Sequence, residues 1–176
     1  MTIPLLEMLR EGDLRTTGRA DEAAALALSD PRLVEDLFAG LTADHPGVRM
    51  RSADALQKVC ATHPALLQPH AERLVAAARA ASQQEVQWHA AQMLAAVDLT
   101  PEQALEAASI LEGWFHGSKS SIVRTFSLQA VADLSNHHPA LRPLALSLVE
   151  EGLTAPAHSV LSRARKIKKQ MEKNRA

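Results

Sequence analysis

The feature that most constrains this chain is a period. Prolines at 31, 64, 101 and 139 each precede a helical apolar pattern, with spacings of 33, 37 and 38 residues, and valines at 48, 86, 123 and 160 each open a second pattern, with spacings of 38, 37 and 37. Two interleaved ladders at one period describe a repeated two-element unit, in which each unit buries its apolar face against its neighbours. The match is plainest in His63-Pro64-Ala65-Leu66 against His138-Pro139-Ala140-Leu141, two periods apart. The apolar residues are mostly Ala and Leu, aromatics are 3% and Tyr is absent, so both elements of the unit are helices and the fold class is all-α. The 176 residues read as a single domain with repeats at about 1–29, 30–62, 63–98, 99–137 and 138–174.

Each ladder proline is expected at the first position of a helix, preceded by an N-cap candidate: Asp30, His63, Thr100 or His138. Thr100 to Gln103 further reads as a capping box. The tenth residue beyond each proline is apolar every time (Leu41, Leu74, Leu111, Val149), which predicts core. The second helices follow breaks at Asp44 to Gly47, Ser82-Gln83, Gly117-Ser118 and Ala155-Pro156. Eight and eleven residues after the opening valines stand Leu56 and Val59, Leu94 and Val97, Val131 and Leu134, a buried seam. The first hairpin places helices near Ile3 to Arg10 and Arg19 to Leu28, around a loop containing Gly12 and Gly18.

Pro46-Gly47-Val48-Arg49 with Ala53 and Leu56, echoed by Ser121-Ile122-Val123-Arg124 with Leu128 and Val131, resembles the HEAT-repeat family. The resemblance covers residues 30–174 well and the first 30 loosely. It implies a right-handed α-solenoid of about five helical hairpins, with the second helices lining a concave face. The chain departs from the family at Val86-Gln87 and Val160-Leu161, where Val-Arg is usual, and only Arg49 has a nearby acid, Asp44, to pair with. The last helix has Arg165 and Lys168 at offsets that are apolar in earlier repeats, while Ala164, Ile167 and Met171 stay apolar, so it is expected to close the stack.

Charge is segregated along the chain. From residue 162 onward there are seven Lys or Arg against one acid, a net +6, so the preceding residues carry −7. An acidic body disfavours duplex binding along its length. The single Cys60 has no internal partner and sits in an apolar stretch, which fits a reducing compartment, and no leader-like or membrane-spanning run is seen. A cytoplasmic location is expected.

Three, six and ten residues after the opening valines, the second helices carry positions that escape the seam and share one face. These are Arg51, Asp54 and Lys58; His89 and Gln92; Phe126, Gln129 and Asp133; Arg163 and Lys166, with Trp88 and Arg124 beside them. An aromatic among Arg, His and Gln is the composition of a binding hot spot, although solvated polar positions with tucked aromatics would read the same way. Trp114 and Phe115 read as core. No CxxC, HExxH, His-Glu pair, phosphate loop or nucleophile elbow is present, so no metal, cofactor or catalytic residue is expected. The expectation is a non-enzymatic scaffold engaging a protein or peptide in its concave groove. The alternative is nucleic-acid binding, by resemblance to HEAT-like alkylpurine DNA glycosylases: Trp88, Gln92 and Arg124 are superficially similar, but the catalytic Asp is missing. A chromophore role like that of HEAT-like bilin lyases has no residue to support it.

Overall fold

The computed structural model describes residues 4–173, and among them every regular element is helical. Ten α-helices follow one another: α1 (Leu5–Met8), α2 (Ala20–Ser29), α3 (Leu33–Gly40), α4 (Pro46–Thr62), α5 (Ala71–Ala80), α6 (Gln84–Leu94), α7 (Pro101–Gly117), α8 (Ser121–His137), α9 (Arg142–Gly152) and α10 (His158–Lys173). No helix among the described residues is long and apolar enough to cross a membrane. The chain forms two compact units, one ending at Asp98 and one beginning at Leu99.

In the first unit α4 is the hub, packed against α2, α3 and α6, with α5 on α6 and α1 on α3. Residues 50 to 56 of α4 are all buried, which is possible because four of the seven are Ser, Ala or Asp and let neighbouring helices approach closely. In the second unit α8 has the same role, flanked by α7, α9 and α10. Its buried residues alternate large with small in the same manner, from Val123 to Ser135. Within each unit successive second helices stack directly, α2 on α4 on α6, and α8 on α10.

All four residues ten beyond the prolines are buried, Leu74 and Leu111 completely, and so are the six seam residues Leu56, Val59, Leu94, Val97, Val131 and Leu134. Phe115 is buried and Trp114 half-buried. The proline ladder marks helix starts less directly than expected. Pro101 does begin α7, with the full Thr100–Gln103 capping box. Pro64 and Pro139 instead open 3₁₀ turns, and α5 and α9 begin at Ala71 and Arg142. A second proline explains the delay: Pro69 and Pro143 lack the N–H that an α-helix running from the ladder proline would need, and their rings would strike the carbonyl four residues back. His63 and His138 consequently make no side-chain cap, whereas His45 Nδ1 accepts from the Gly47 N–H at 3.2 Å. Asp30 precedes a turn of 3₁₀ type and accepts from the Arg32 N–H, with α3 starting at Leu33.

The residue after three of the four opening valines has one recurring job. Arg49 donates to the carbonyls of Ala43 and Asp44, Gln87 to that of Ala81, and Arg124 to that of Phe115. Each closes the C-terminal end of the preceding first helix, where carbonyls have no intrahelical partner. Arg49 thus uses the backbone of Asp44 and not the carboxylate expected from the sequence. Gln87 makes the same kind of contact with a shorter donor.

Candidate functional site

In the first unit the predicted face divides into a self-paired cluster and an open cleft. Asp54, 6% exposed, accepts from Lys58 Nζ at 2.8 Å, one turn along α4, and lies 3.7 Å from His89 Nε2 on α6. Lys58 also meets Asp21 on α2. Burial pushes Lys58 down, but its bonds to Asp21 and Asp54 outweigh this and the net shift is upward. Desolvation holds the His89 imidazole below its ordinary value against the opposing pull of Asp54, and its Nδ1 is buried without a hydrogen-bond partner. Gln92 is turned back onto the Trp88 carbonyl at 3.1 Å.

Arg51 requires a correction. Read from the sequence as an exposed groove residue, it is fully buried. Its guanidinium donates to the carbonyls of Leu9 (2.9 Å), Asp13 and Thr16 (3.4 Å), pinning the α1–α2 loop onto α4. The loop can fold over the guanidinium because Gly12 and Gly18 take positive φ, 94° and 51°. A Cβ at Gly18 would sit 2.7 Å from Arg51 Nε. Arg51 therefore shapes the site without presenting itself to a partner.

The pinned loop is one wall of a cleft of about 250 Å³. Leu14, Thr16 and Thr17 come from the loop, Met50 and Asp54 from α4, and Glu85, Trp88 and His89 from α6. Leu14 is 53% exposed and Trp88 half-buried, so apolar surface is open to solvent on both sides. The sequence pointed to Trp88, His89 and Asp54 but missed Leu14, Met50 and Glu85. The only signal for the loop was the Gly12/Gly18 pair, which carries no hint of where the loop folds.

In the second unit the predicted residues form a closed chain. Arg163 on α10 donates to Gln129 at 3.1 Å, Gln129 donates to Asp133 at 2.8 Å, and the guanidinium lies 5.8 Å from the centre of the Phe126 ring. Desolvation raises Asp133 above the usual carboxylate range, opposed by the Gln129 bond and by Arg163. Lys166 is exposed and lies outside this chain. Arg124, half-buried, is engaged at the end of α7, on the Phe115 carbonyl and 5.3 Å from the centre of its ring.

The two units repeat one arrangement. The residue six beyond one opening valine meets the residue three beyond the next, Asp54 with His89 and Gln129 with Arg163, and each is also tied to the residue one turn further along its own helix, Lys58 or Asp133. Half of the predicted face is thus a polar ladder joining neighbouring second helices. Among the described residues no group of three or more His, Cys, Asp or Glu could hold a metal ion. The sequence matches no protein-family model and no curated protein.

Proposed function

We propose that this protein is a non-enzymatic binding scaffold, a HEAT-like α-solenoid of five hairpins that takes a peptide or protein partner at its second-helix face. The observation that carries this reading is the Trp88 cleft. Asp54 is tied to Lys58 and Arg51 to the loop carbonyls, so the cleft offers an incoming group the apolar surface of Leu14, Met50 and Trp88, rimmed by the polar side chains of Arg15 and Glu85. A pocket of about 250 Å³ suits one large apolar side chain as an anchor. The direct stacking of α2, α4 and α6, and of α8 on α10, supports the solenoid.

A random-sequence peptide library selected on the wild-type protein tests the reading. Enriched peptides should carry one large apolar residue and bind about 30-fold more weakly, or about 2 kcal/mol, to Trp88→Ala. The variant should keep its helical circular dichroism signal, and Arg163→Ala should bind nearly as wild type. Peptides that bind Trp88→Ala undiminished would remove the cleft from the site.

A further inference from the structure

Helix α10 carries a surface that the peptide cleft does not use. Val160, Ala164 and Ile167 are buried on one side of it, with half-buried Met171 in line. On the opposite side Arg165, Lys166, Lys169 and Lys173 are all exposed. At 100° per residue these four fall within a sector of about 100°, and they span about 12 Å of helix. Among the described residues none of the four is in an ion pair; the one acid near the sector, exposed Glu172, borders it about 20° outside, Lys168, about 60° outside, pairs with Glu150 at 2.9 Å, and Arg163 is engaged by Gln129. The sector's other members, His158 and Ser162, are polar.

A helix that needed only a wettable outer face would mix the two signs. Here Arg165 with Lys169, and Lys169 with Lys173, are like charges four residues apart, an arrangement that works against the helix. The helix dipole compensates only in the last turn. We infer that this stripe binds the phosphate backbone of a nucleic-acid duplex, without reading its sequence. A duplex presents a dense array of anions along its two winding strands, about one per 1.7 Å of axis with both strands counted, to meet a cluster of cations. A protein partner would require an apolar interface core, and the stripe has none. An anionic membrane would attract the stripe by charge alone, and could gain nothing from insertion because the apolar side of α10 is in the core. The net negative charge of the rest of the chain does not prevent this contact, because at physiological salt its repulsion is screened beyond about 8 Å.

The test is fluorescence anisotropy of a labelled 20-base-pair duplex with the full chain, across a salt series. Four phosphate contacts predict that log K falls against log salt with a slope of about −3 to −4. Replacing Arg165, Lys166, Lys169 and Lys173 by Gln should weaken binding at least tenfold and flatten the slope, with circular dichroism unchanged. A control replaces four other exposed cations, Arg10, Arg15, Lys119 and Arg142, by Gln, and should bind within threefold of wild type. The inference is overturned if the control loses as much, which would mean that net charge alone matters, or if the slope stays unchanged in the stripe variant. It is equally overturned if polyglutamate displaces the duplex at equal charge, or if vesicles containing anionic lipid bind more tightly than the duplex does. Trp88→Ala should leave duplex binding intact, so failure here and failure of the peptide reading are distinguishable.

Discussion

At the residue scale the most consequential side chain is Arg51. A fully buried guanidinium that meets carbonyls and not carboxylates makes structural sense only if those carbonyls also need it, and the three that it reaches come from a loop with no helix or sheet to satisfy them. Arg51→Met preserves volume and apolar contact but leaves the carbonyls of Leu9, Asp13 and Thr16 unpaired. We expect a loss of about 2 to 4 kcal/mol in urea denaturation. Arg51→Lys should recover little of it, because an ammonium lacks the fork that reaches several acceptors at once. The loop is also a wall of the cleft, so both variants should weaken peptide binding even where the fold survives.

At the element scale, helix register decides what a substitution does. On α7, Leu111 is completely buried while Leu105, less than two turns earlier, is 55% exposed. Leu111→Asp places an unpaired carboxylate in the core, at a cost of several kcal/mol against a total stability of about 5 to 15, and should leave the second unit unfolded. Leu105→Asp should change the denaturation midpoint by the equivalent of about 0.5 kcal/mol or less. Equal effects for the two would mean that α7 is rotated. The donor after Val48, Val86 and Val123 belongs to this scale too: its identity varies from Arg to Gln, but each reaches a carbonyl at the end of the preceding helix.

For the whole molecule, two buried titratable groups bound the pH range of full stability. Burial keeps His89 below its ordinary 6.5, so the unfolded chain takes up a proton first as pH falls. Its contribution is complete above about 6.5 and is lost below it. Burial pushes the Cys60 thiol up from 9.0 to about 11, so the unfolded chain ionises first as pH rises. That contribution is complete below about 9 and is lost as pH approaches 11. A plateau between these limits should appear in stability measured by urea titration. His89→Gln should flatten the acid limb and Cys60→Ala the alkaline one. With no Tyr in the chain, the alkaline limb is not obscured by phenol ionisation.

The all-helical class, the starts of the second helices and the buried positions were legible in the sequence because they follow from local rules, although α6 ends at Leu94, before the seam residue Val97. An apolar residue at a fixed offset in a repeated helix is carried to the same side of it every time, as Leu111 and the seam residues show. Helix starts were half legible. Pro101 obeyed the local rule, but Pro64 and Pro139 yielded to a second proline a few residues on. What the polar face does was not legible, since a charged residue one turn from the seam reads the same whether it faces solvent, a neighbouring helix or a loop. Only the tertiary structure decided that Arg51 is covered, that Asp54, Lys58 and His89 satisfy one another, and that Trp88 is left beside a cleft. The physical reason is range: helix periodicity is set by bonds over three or four residues, whereas the partner of a polar side chain is set by whatever packs against it, here 35 to 42 residues away for Arg51.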